Sequence, residues 1–100
     1  MTYRNKALRD TARNMSCILC GSDNGTVVSA HYFGRMRHRL GGGMSHKVTD
    51  AATAALCSRC HQEFDSYAAG NTAERSEEFL LAIVLTWDRL LKLGKVIIKK

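Results

Sequence analysis

The chain has no proline, no internal repeat and no long linker, and these absences leave a single small domain over residues 1–100. It also lacks a long hydrophobic run. The longest apolar stretch, FLLAIVL at 79–85, falls far short of the ~20 residues that a bilayer-spanning helix needs, so no membrane partner is expected. The opening MTYRNKALRD is charged and has no apolar signal core. The expected compartment is therefore the cytoplasm. Thiols stay reduced there, and paired cysteines bind metal more often than they form disulfides. A chain this short buries a limited fraction of its surface and often needs a staple.

Excess charge is missing from one half. The net charge is +6. Residues 1–47 hold eight Lys and Arg against Asp10 and Asp23, whereas residues 48–100 hold seven basic and seven acidic residues. All of the excess lies in the first half, a pattern that suits a polyanion such as DNA. An ordinary solvated basic surface would give the same count.

The periodicities predict an α+β chain. Residues 3–15 suit an N-terminal helix with Leu8, Ala12 and Met15 on one face. TVVSAHY at 26–32 reads as a strand, and FGRMRHRLGGGMSHK at 33–47 as a glycine-rich basic loop or, by its alternating arginines, an exposed strand. TDAATAALC at 49–57 fits either a helix or a strand, and residues 58–70 fit a short helix. The long amphipathic C-terminal helix is the plainest element. Phe79, Leu80, Ile83, Val84, Trp87, Leu90 and Leu91 repeat every 3.6 residues, Asn71 with Glu74 resembles a capping box, and Gly94 supplies a stop. KVIIK at 95–99 is a candidate edge strand.

Four cysteines supply the staple. Cys17-x2-Cys20 and Cys57-x2-Cys60 are two knuckles separated by thirty-six residues. Each pair can place two thiolates on one tetrahedral ion, so together they predict a closed structural zinc site. Such a site needs no histidine, yet His61 follows Cys60 directly. On a helix starting near Ser58, Asp65 shares its face, four residues on.

His31 ends the first predicted strand, between the knuckles. The order CxxC, strand ending in His, basic loop, second element, CxxCH and helix resembles the zinc-stabilised HNH, or ββα-metal, nucleases. The blocks YRNKALRDTARNMSCILCG, VVSAHY, GGGMSHKVTD and CSRCHQEFD are similar to small phage and prophage proteins typified by YbcO, a group read as endonucleases, and more distantly to NinG-type phage recombination proteins. The resemblance covers most of the chain. It implies a ββα-metal fold, His31 as general base and His61 as ligand of a catalytic Mg2+ or Mn2+. It also implies a bacterial host cell and other phage recombination proteins as partners. Two positions depart from the family pattern. Ala30 stands where many members carry a further ligand, and DAATAAL lacks the middle asparagine. Asp50 or Asp65 can supply the missing oxygen, and His46 is a further option.

Phosphodiester hydrolysis needs an activated water, neutralised phosphate charge and help for the leaving oxygen. An imidazole, a hard cation with oxygen ligands, and Arg35, Arg37, Arg39 and Lys47 match those needs. The expectation is a metal-dependent endonuclease acting on DNA, with His31, His61 and Asp50 catalytic. A noncatalytic zinc-bearing DNA-binding module and a zinc-stapled protein-interaction domain remain as alternatives.

Overall fold

A computed structural model describes residues 2–43, 46–65 and 72–99. The N-terminal segment forms α1 (Lys6–Asp10), capped where the Asn5 side chain accepts from the Leu8 amide, and then tightens into a 3-10 turn over Thr11–Asn14. Ala12 and Met15 are buried and Leu8 packs against them, as the apolar spacing predicts. Strands β1 (Val28–His31) and β2 (Thr53–Leu56) pair antiparallel, with Ala30 opposite Ala54 and His31 opposite Thr53. Helix α2 (Ser58–Asp65) follows β2 directly, and α3 (Ala73–Lys92) closes over the sheet. The result is a small α+β arrangement with strand, loop, strand and helix in the predicted order. None of its described helices is long and apolar enough to cross a membrane.

Within segment 49–57, Thr53–Leu56 form a strand although alanine has little strand preference. Burial on both faces decides it: Ala54, Ala55 and Leu56 are wholly inaccessible. The small side chains let α3 lie close against the sheet. Ala55 is also the junction of three elements. Its amide donates to Thr86 Oγ1 of α3 (3.2 Å), and its carbonyl accepts from the Ile18 amide of the first knuckle (2.8 Å). The outer edge of β2 is thereby occupied at its centre, and KVIIK adds no strand. Ile97 and Ile98 are instead exposed. The basic loop is not an extended strand either, because Arg37–Leu40 form a 3-10 turn.

Three aromatic rings form the centre of the core. Phe79 of α3 meets Tyr32 edge-on at 5.3 Å and Phe64 of α2 at 4.6 Å between ring centroids. Tyr32 follows His31, and Phe64 lies three residues beyond His61. The cluster thus sets α2 against the end of β1. Gly34 is required beside it, since a Cβ there would lie 2.2 Å from the Tyr32 hydroxyl.

The ends of α3 correct one expectation and support another. Its N-cap is Thr72, whose side chain accepts from the Arg75 amide, rather than Asn71, which lies outside the described residues along with 66–70 of the second predicted helix. At the other end the Gly94 amide donates to Leu91 O and the Lys95 amide to Leu90 O, with Gly94 at φ +72°. This is a Schellman stop, and glycine takes its left-handed position without strain.

Thr86 is buried and is the acceptor for the Ala55 amide. Thr86→Val keeps the shape but orphans that N–H, so it should lower unfolding stability by about 1–3 kcal/mol in urea titrations. Unchanged stability would mean that the strand–helix bond contributes nothing.

Candidate metal centre and adjoining cleft

The two knuckles converge. The sulfurs of Cys17, Cys20, Cys57 and Cys60 all lie within 4.8 Å of one another, and Cys20 and Cys57 are 3.6 Å apart. Four sulfurs at about 2.3 Å around a tetrahedral ion stand about 3.8 Å from each other. The cluster therefore fits one metal ion, with dimensions compatible with structural zinc. None of the four is in a disulfide.

Local structure builds this geometry. In the first knuckle the Cys17 amide donates to Ser22 O and the Gly21 amide to Cys17 O, which closes a tight turn. Burial pushes the Cys17 thiol up, but the amides of Cys20, Cys57 and Leu19 and the Cys20 thiol outweigh it and bring it down to about 6. The Cys60 amide likewise lowers Cys57, while burial and the neighbouring sulfurs push Cys60 up. Three of the four cysteines are buried, and four thiolates this close together repel one another unless a cation lies between them. Arg59 stands against the Cys20 sulfur, which raises its own pKa. Arg89 of α3 donates to the Ser16 carbonyl at 2.7 Å and so ties the first knuckle to the long helix.

His61 lies outside this sulfur set, in the first turn of α2, with its amide on Cys57 O. Its Nε2 is 3.0 Å from Asp65 Oδ2, the predicted pairing four residues on. His31, His61 and Asp65 line one cleft of about 600 Å³, together with Arg37, His46 and Lys47. Two elements, β1 and α2, thus bring both histidines to a shared space. Among the described residues, the four cysteines are the only set of three or more metal-ligating side chains close enough to share an ion.

Asp50 is wholly buried. Its Oδ1 takes His31 Nε2 at 2.7 Å and Arg4 Nη1 at 2.9 Å, and its Oδ2 takes Arg9 Nη1 at 2.5 Å and the Asn5 amide at 2.7 Å. Burial alone would raise its pKa, but the Asn5 amide, His31, Arg9 and Arg4 outweigh it and hold the carboxyl well below the usual carboxylate range. An ionised Asp50 only accepts, so Nε2 of His31 is the donor in their contact. Asp50 is in this way an orienting partner for His31. Four donors already occupy its oxygens, whereas Asp65 is half exposed.

Ala30 is wholly buried opposite Ala54 and serves as a core contact. Of the predicted phosphate-binding residues, Arg37 and Lys47 reach the cleft, with Arg37 over the Phe33 ring at 5.2 Å. Arg39 is exposed on the 3-10 turn, and the Arg35 amide is held by Ser76 Oγ at 3.0 Å. Arg4 and Arg9 are the residues that sequence reasoning missed. They are separated from Asp50 by 46 and 41 positions, so no local pattern announces the contact.

The cluster joins segments on either side of the sheet, so its occupation should be coupled to folding. Purified chain should carry one tetrahedral metal ion, zinc by elemental analysis. Cys57→Ser should lose both the metal and the thermal unfolding transition. A chain that folds equally well after metal removal would contradict this.

No protein-family model matches this chain, and neither the curated proteins nor the solved structures hold a significant match to it.

Proposed function

We propose that the chain is a zinc-stapled, metal-dependent endonuclease that hydrolyses DNA phosphodiester bonds in the cleft between β1 and α2. One observation supports this reading above the others: His31 and His61 line the same cleft, and each imidazole is paired with a carboxylate. The zinc stays in the four-cysteine cluster and takes no part in hydrolysis.

In this reading His31 is the general base. Asp50 holds its Nε2–H, so the Nδ1 lone pair accepts a proton from the attacking water and Asp50 stabilises the imidazolium that results. Arg4 and Arg9 keep Asp50 ionised through that change, because both donate to its wholly buried carboxylate. His61 and Asp65 are the residues that would hold a catalytic Mg2+ or Mn2+. Their 3.0 Å separation matches the spacing of about 3.0 Å between adjacent ligands at about 2.1 Å in an octahedral shell. Two protein ligands suffice for such an ion when water and substrate phosphate fill the rest. The ion would neutralise the phosphate and stabilise the leaving 3′ oxygen. Arg37 and Lys47 at the cleft, with Arg35 and Arg39 on the same loop, would neutralise flanking phosphates. A cytoplasmic setting in a phage-bearing bacterial cell, with recombination proteins as partners, belongs to the same proposal and rests on the sequence resemblance.

The test is cleavage of linear, supercoiled and branched DNA with Mg2+, Mn2+ or neither, with zinc content checked in each sample. His31→Ala should leave folding and DNA binding intact and slow cleavage by about 10²–10⁴-fold. His61→Ala should abolish cleavage while the zinc remains. If both variants cleave like wild type, the cleft is not a nuclease centre. If wild type binds DNA but no divalent ion produces cleavage, the chain is a DNA-binding module on the same frame.

A further inference from the structure

The side of α3 turned away from the core is not a polar surface. Leu81, Val84, Leu85 and Leu91 are 54%, 63%, 38% and 47% exposed, and they recur at the spacing of one helix face. The stripe holds one charged position, Asp88, paired with Lys92, and is bounded by charge of opposite sign: Glu74, Glu77 and Glu78 before it, Lys92 and Lys95 after it. We propose that this face is a self-association surface, on which the α3 helix of a second copy of the chain packs antiparallel about a two-fold axis near Val84 and Leu85.

The charge pattern selects that occupant. Glu77 lies seven residues before Val84, and Lys92 lies seven residues after Leu85, about 10.5 Å to either side along the helix. A two-fold axis between Val84 and Leu85 therefore sets Glu77 of each copy against the partner's Lys92. A parallel pairing would bring acid to acid and base to base. Among the described residues Glu77 has no ion pair within the chain, and Lys92 has only the exposed contact to Asp88 at 2.8 Å, which two-fold pairing can share.

Shape agrees with charge. Leu85, Asp88, Arg89 and Lys92 border a shallow groove with Ile18 and Leu93. On a helix those four positions frame the hole that receives a single knob in paired helices. The antiparallel arrangement brings the partner's Leu81 opposite Asp88, over that hole. An isologous contact of this kind closes on itself as a dimer. No residue of α3 lines the cleft that holds His31 and His61, so both clefts stay open in the dimer. This inference does not depend on the nuclease reading.

Sedimentation equilibrium of the full, metal-loaded chain tests it. The expected result is a dimer at micromolar concentration. Val84→Glu should convert it to a monomer with unchanged helix content and metal content. Glu77→Lys should weaken association at least about tenfold, since each dimer would then hold two like-charge contacts, and Glu77→Lys with Lys92→Glu should restore it. A wild-type monomer at high concentration, a dimer indifferent to Val84→Glu, or no rescue in the double variant would overturn the proposal.

Discussion

Four sulfurs within 4.8 Å of one another tie the loop before β1 to the turn after β2. This constraint positions everything else of interest. It clips both ends of a segment that holds the two strands and the basic loop, and it fixes the start of α2, where His61 sits. The aromatic cluster of Tyr32, Phe64 and Phe79 repeats the connection further along the same two elements. Helix α2 is therefore held against β1 at both ends, by sulfur at one and by ring packing at the other. The cleft between them follows from those two attachments. A chain of this length has little core to hold such a cleft open without a staple.

Asp50 is the second organising contact, and it changes the meaning of the charge distribution. The first half of the sequence carries all of the net positive charge. In space, Arg4 and Arg9 turn inward to the one carboxylate that lies wholly buried, and Lys6 pairs with Asp10 at 2.6 Å. The remaining basic residues of that half are Arg13, which lies 3.7 Å from Asp10, and Arg35, Arg37, Arg39 and Lys47 of the basic loop. Both arginines at Asp50 are partly exposed, so the ionised carboxylate is buried while its partners remain partly hydrated. Such a pairing avoids much of the desolvation cost of a fully buried ion pair. Asp50 contributes stability above the ordinary carboxylate range, and that contribution disappears as pH falls through its depressed pKa.

Much of this was legible in the sequence because it depends on spacing. Two CxxC pairs predict a convergent cluster, and the 3.6-residue repeat predicts the long helix, with Phe79, Ile83 and Leu90 buried as expected. His61 and Asp65 lie four apart on a helix, so their contact is local. What escaped depends on partners distant in the chain. TAAL becomes a strand because both its faces are covered, which alanine propensity does not encode. KVIIK has strand-like residues but meets a β2 edge already bonded to Thr86 and Ile18. Asp50 looked like an available oxygen ligand from its position near the second knuckle; only the folded chain brings Arg4, Arg9 and His31 to it. Val84 and Leu91 belong to the same 3.6-residue repeat yet are exposed, since hydrophobic periodicity does not say whether a second face is covered by the same chain.

The central claim is a division of labour: the sulfur cluster holds the frame, and His61 belongs to the cleft. X-ray absorption at the zinc edge of the purified protein tests that division most directly. The account predicts four sulfur neighbours at about 2.3 Å and no nitrogen in the first shell. Three sulfurs and one nitrogen at about 2.0–2.1 Å, with the nitrogen lost in His61→Ala, would place His61 on the zinc and contradict it.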